Sequence, residues 1–197
     1  LLYHPGETNL RLADVVLVNK VKTAHPEGVE TVLANVAKVN PGAMVLQAAS
    51  PLTVDDPAVL AGRRTLVVED GPTLTHGGMT YGAGTLGARD AGAAEIIDPR
   101  PFLVGELQET FTKYPDLGDL LPAMGYGDQQ VADLEETFRR AAQGGVEAVA
   151  IGTPIDLSRL VDIPIPHTRI RYDLEVIGKP DLSDALAPIL EMAKASK

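Results

Sequence analysis

Short apolar runs rich in β-branched residues alternate with stretches of helical period along the whole chain, and this alternation restricts the fold more than any other feature. It is the pattern of βα units around a mainly parallel sheet. Residues Ala13 to Asn19 form a continuous apolar run with a polar end, as a strand buried on both faces requires. His25-Pro26-Glu27 then opens a helix in which Val29, Val32, Leu33, Val36 and Val39 recur at 3.6-residue spacing up to Asn40-Pro41-Gly42. Ala43 to Ala48 is the next expected strand. A second series starts with a strand over 64–70 and a glycine-rich run to Gly84, followed by a helix over 85–91 and a strand over 94–98. Helices are expected over 106–111 and 129–142, with a Pro- and Gly-rich loop over 114–127 between them. A strand over 146–151, a single strand with one wet face over 168–177, and an amphipathic helix over 182–194, capped by Asp181 or Ser183, complete the chain. The segment Ser50 to Ala61 reads as a loop with a short helix and as the boundary between 1–62 and 63–197. The expected fold class is α/β, with flanking helices on a mainly parallel sheet.

Composition removes several functions. Apolar runs such as Val15 to Val18 and Ala148 to Ile151 fall far short of the ~20 residues that cross a bilayer, so no membrane partner is expected. The absence of Cys excludes disulfides and thiolate metal sites and agrees with a cytoplasmic protein. With 17 basic against 27 acidic side chains the net charge is −10, which opposes a nucleic-acid surface but leaves room for one small anion in a local pocket. The opening Leu1-Leu2-Tyr3-His4-Pro5-Gly6 has neither Met nor the pattern of a signal peptide. The chain is therefore expected to be a fragment lacking its N-terminal part.

In open α/β sheets ligands gather beyond the carboxyl ends of the strands. Four such tips are polar or glycine-rich: Asn19-Lys20-Val21-Lys22, Glu69-Asp70 with its glycine loop, Asp98-Pro99-Arg100, and Gly152 to Asp156. Between Gly71 and Gly84 the loop contains neither a Gly-x-x-x-x-Gly-Lys-Ser/Thr nor a Gly-x-Gly-x-x-Gly pattern. Its glycines still allow close backbone approach, and the following helix offers the positive end of its dipole. Thr75, Gly77, Gly78, Gly82 and Gly84 are thus candidate anion contacts, against the plainer reading of a flexible crossover. His76 is the candidate for phosphate contact or proton transfer, and a plain surface histidine is the alternative. Glu69 and Asp70 are candidate Mg²⁺ ligands, Asp70 also a candidate catalytic group, although acidic residues commonly end strands as turn formers. Arg100, and Arg169 with Arg171 two residues on, supply scarce positive charge for a phosphate clamp or else line a solvated edge.

A buried strand ending in Asn19-Lys20, with Ser50 at the next strand tip, resembles the guanine-reading corner of P-loop GTPases. Lys22 stands where that motif has an Asp, and a lysine cannot accept the two bonds that read guanine. Together with Tyr3 to Glu7, Ser50 to Val54, Glu69 to Met79, Asp98 to Pro101, Pro122 to Gly127 and Gly152 to Leu157, these residues resemble the predicted-GTPase family that includes cyclic 2,3-diphosphoglycerate synthetase. The resemblance implies a P-loop NTPase-like, Rossmann-like three-layer architecture, truncated at its N-terminus, with a family-specific region after residue 62. It implies a ligase that uses ATP or GTP with Mg²⁺ on a small phosphorylated acid, with the nucleotide on Asn19, Lys20 and Ser50. The missing N-terminal part of the same chain would be a partner, the fragment alone would lack turnover, and homo-oligomerisation is compatible with the sequence. Two rivals are a GTPase-like regulatory or metal-delivery protein and a non-catalytic α/β module that binds an anion.

Overall fold

A computed structural model of the chain describes residues 4–71, 74–75 and 80–195. They form two compact units, one of residues 1–51 and 173–197, the other of residues 52–172. The division falls at 51/52, not at 62/63, and the C-terminal segment returns to the first unit. Strand pairing gives the reason: β3 (Leu52–Val54), inside the segment read as a loop, is hydrogen-bonded to β8 (His167–Tyr172).

In the first unit, α1 (His4–Leu12), β1 (Val15–Val18), α2 (Pro26–Val39) and β2 (Met44–Ala49) follow in order. β1 and β2 are parallel, with Val18 opposite Gln47, and β9 (Glu175–Ile177) adds an antiparallel strand on the other edge of β2. The side chain of Asn40 donates to the carbonyls of Leu10 at 2.9 Å and Ala13 at 2.7 Å, tying the end of α2 to the exit of α1. α6 (Leu182–Ala195) ends the described chain, and Asp181 accepts from the backbone N–H of Asp184 at 3.0 Å, a capping contact.

The second unit is built on β4 (Arg64–Asp70). Its Thr65-Leu66-Val67-Val68-Glu69 stretch is buried throughout, as a central parallel strand demands. One edge pairs with β7 (Ala148–Gly152), which is parallel to β8 beyond it. The other edge is shared by two short strands, β5 (Glu95–Ile96) beside residues 64–65 and β6 (Leu121–Ala123) beside 68–70. Strand order in this sheet is β3-β8-β7-β4-β5, so its strands are parallel except for β3. The architecture is mixed α/β with a mostly parallel sheet and flanking helices. The residues 168–177 are not one strand: β8 and β9 lie in different sheets. The expected loop over 114–127 contains β6, and the expected strand over 94–98 shrinks to two residues.

Helices α3 (Ala83–Asp90), α4 (Gly105–Lys113) and α5 (Asp128–Gln143) accompany this sheet. α5 is amphipathic, burying Leu134, Thr137, Phe138 and Ala141 while Glu136, Arg139 and Arg140 pair at its surface. α3 lies against the strands through glycine. A Cβ on Gly87 would stand 2.6 Å from Ile170, and one on Gly152 of β7 would stand 2.6 Å from the Gly84 backbone. Among the described residues no helix is long and apolar enough to cross a membrane.

Backbone cannot yield as a side chain does, so Gly152→Ala should lower stability by about 1–3 kcal/mol in equilibrium urea unfolding. Gly28→Ala in α2, whose Cβ would meet nothing within 4 Å, should raise it by up to about 1 kcal/mol.

Candidate functional site

The first candidate lies where β1 and β2 end. Parallel pairing carries Asn19 and Ser50, 31 residues apart in sequence, to hydrogen-bonding distance, with Asn19 Nδ2 donating to Ser50 Oγ at 3.0 Å. The Asn19 side-chain oxygen Oδ1 accepts the backbone N–H of Lys20 at 2.7 Å. Lys20 has φ 62°, the only positive value at a non-glycine residue among those described. Its own carbonyl accepts the N–H groups of Thr23 at 3.1 Å and Ala24 at 3.0 Å. The structure thus brings together Asn19, Lys20 and Ser50, and holds a lysine backbone in a left-handed conformation of the kind found at ligand clamps. Lys22 turns to Glu175, 3.3 Å away.

The second candidate lies at the carboxyl ends of β4, β6 and β7 in the other unit. β4 ends at Asp70, Tyr126 follows β6 by three residues, and Thr153 follows β7 directly. Burial pushes the Tyr126 phenol above its ordinary pKa, the Asp70 carboxylate adds to this, and a hydrogen bond with Thr153 acts in the opposite sense. At neutral pH the phenol is therefore protonated and can donate. Thr153 is buried, and its hydroxyl donates to the Ile155 carbonyl at 2.9 Å. Thr153 lies in a strand tip singled out from sequence but is not itself among the expected site residues, and Tyr126 is missed because β6, the strand before it, reads as loop in the sequence.

Glu69 is 3% exposed. Its carboxylate accepts the N–H groups of Gly82 and Gly84, each at 3.1 Å, and of Thr85 at 2.7 Å, and the Thr85 hydroxyl at 3.0 Å. Burial drives its pKa upward, and these four donors, which favour the charged form, pull it back. All its capacity goes to the first turn of α3, so the Mg²⁺ expectation for Glu69 meets a carboxylate already in use. Gly82 and Gly84, expected to face an external anion, present their N–H groups to Glu69. Counting three residues past Gly84 completes Gly82-x-Gly84-x-x-Gly87, the pattern absent from residues 71–84. Here it does not follow a strand directly, as a dinucleotide fold requires; it packs a helix close to a sheet.

The basic candidates are also engaged. Arg100 donates to Asp98 at 2.8 Å and to the Leu117 carbonyl at 2.5 Å, and its guanidinium stands 5.0 Å from the Phe111 ring centroid. Arg171 pairs with Asp55 through Nε at 2.8 Å. Arg169 reaches Asp156 at 3.7 Å, and its buried Nε has no hydrogen-bond partner among the described residues. The Asp156 carboxyl is held below its ordinary pKa, first by Ser158 and also by Arg169. The pair at 169 and 171 is thus divided between two carboxylates. Thr75 donates its hydroxyl to the Gly71 carbonyl at 3.1 Å. His76, Gly77 and Gly78 lie outside the described residues.

No protein-family model matches the sequence. Over 186 residues, 94% of this chain, the sequence is 54% identical to arginine synthetase ArcE of Thermococcus kodakarensis. The matched stretch is 41% of that protein, so the chain spans about two fifths of the length of the curated relative it matches. The name is that of a synthetase, in line with the motif resemblance, but of arginine and not of cyclic 2,3-diphosphoglycerate.

Proposed function

We propose that the chain is part of a nucleotide-dependent, ligase-type synthetase that makes arginine. The observation that carries this reading is its 54% identity, over 94% of its length, to an arginine synthetase. In this reading Asn19, Lys20 and Ser50 hold the nucleotide base, and Asp70, Tyr126 and Thr153 face the amino-acid substrate. Bound ATP or GTP with Mg²⁺ supplies the phosphoryl group that activates the substrate.

The residues fit such a role unevenly. Asn19 has its amide fixed by Ser50 and by the Lys20 backbone, so the corner is preorganised. Among the described residues no group of three or more His, Cys, Asp or Glu side chains could hold a metal ion. Mg²⁺ would therefore rest mainly on nucleotide oxygens and water, a mode common for this ion. The Tyr126 phenol donates a hydrogen bond to a carbonyl or phosphoryl oxygen, and the Asp70 carboxylate offers charge to a guanidinium. A strongly anionic substrate such as a diphosphoglycerate is less well served, because Arg100, Arg169 and Arg171 each already face a carboxylate.

The reading extends to partners and place. A cytoplasmic enzyme of the relative's length would bring further polypeptide to this chain. α6 suits that, with Leu186 47%, Ile189 62%, Leu190 55% and Met192 71% exposed.

Arginine formation dependent on ATP or GTP should be measurable in a polypeptide of the relative's length that contains this sequence, with no turnover by the 197-residue chain alone. Arginine synthesis unaffected by omission of nucleotide would refute the proposal. Asn19→Ala should weaken nucleotide binding in calorimetric titration. Lys20→Gly should weaken binding while raising stability by up to about 1 kcal/mol, because glycine accepts the left-handed backbone without strain.

A further inference from the structure

The four donors that converge on Glu69 are of the kind that a phosphate meets at a helix N-terminus: three backbone N–H groups, of Gly82, Gly84 and Thr85, and the first-turn hydroxyl of Thr85. The cavity around them is cut to a carboxylate. A Cβ on Gly82 would stand 2.6 Å from Glu69 Oε2, one on Gly84 3.1 Å from its carboxyl carbon, and one on Gly152 2.8 Å from Oε2. Three glycines from two segments thus make room for this one group. The carboxylate belongs to the residue before Asp70, whereas its donors lie thirteen to sixteen positions further along the chain.

We propose that Glu69 is a resident anion: it fills the seat at the start of α3 in place of any external phosphate and latches together the two ends of the glycine-rich segment between them. Glu69 is accordingly a positioning residue. It excludes nucleotide and substrate phosphates from the Gly82-x-Gly84-x-x-Gly87 turn. It also fixes residues 82–85 beside the tip of β4, so that the intervening segment starts and finishes at the carboxyl end of the sheet. This inference stands on the geometry of one unit and is independent of the synthetase reading.

Backbone amide spectra of the 197-residue chain test it. In the wild type, inorganic phosphate and formate should leave the amide resonances of Gly82, Gly84 and Thr85 in place. In Glu69→Ala, formate should shift these three resonances saturably and restore hydrogen-exchange protection lost over 82–85, while chloride at equal ionic strength should not. Should Glu69→Ala fail to fold, Glu69→Gln serves. Its single oxygen can keep Gly82 and Thr85 but turns an amide donor toward Gly84, whose exchange should quicken at least about tenfold. That corresponds to loss of one hydrogen bond to a charged group. Phosphate-induced shifts at the three wild-type amides would overturn the proposal. So would formate without effect on a folded Glu69→Ala, or unchanged exchange at Gly84 in Glu69→Gln.

Discussion

A carboxylate stays in an apolar interior only where donors converge on it, and Glu69 meets that condition at the end of β4. Much of the second unit follows from this contact. β4 is the strand on which β5, β6 and β7 all pair. Seating α3 against it requires the helix backbone to come close to the sheet, which Gly84, Gly87 and Gly152 allow. The electrostatic and the steric requirement meet at Gly84, which lets the helix approach and also donates its N–H to the acid.

The pattern recurs elsewhere. Buried Asp133 on α5 accepts the Glu106 N–H at 2.9 Å and the Gln129 amide at 2.9 Å, and so caps α4 from a neighbouring helix. Gly105 begins α4 with φ 50° directly under that carboxylate. Glu147 accepts the Arg64 N–H at 2.9 Å, and Glu135 the Asp162 N–H at 3.0 Å. Glu69 and Asp133 are therefore internal acids serving backbone donors that would otherwise lack partners, while Glu147 and Glu135 serve backbone donors nearer the surface. Other acids, Asp98, Asp156 and Asp55, take up the arginines at 100, 169 and 171, so charge counted along the sequence overstates what is free to meet a ligand.

The α/β class and most helices were legible because period and caps are local signals. Asn19, Lys20 and Ser50 were grouped through the resemblance of their strand tips to the guanine-reading corner of P-loop GTPases, and the parallel pairing of β1 with β2 brings Asn19 and Ser50 together. What escaped depended on distant partners. Leu121 to Ala123 carries a proline, and only the edge of β4 makes it a strand. The alternation from Thr168 to Ile177 runs on without a break, yet the chain changes sheets at Asp173-Leu174, where β8 leaves β7 and β9 joins β2. Glu69 looked like a ligand because an acid at a strand tip gives no sequence sign of whether a metal or a helix end will claim it.

The seat of Glu69 also concentrates risk on one side. A single carboxylate answers the backbone N–H groups of Gly82, Gly84 and Thr85 and the Thr85 hydroxyl. Loss of any one of these donors leaves the acid three others, whereas loss of the acid leaves all four donors without their acceptor. The contact is thus tolerant from the helix and fragile from the strand.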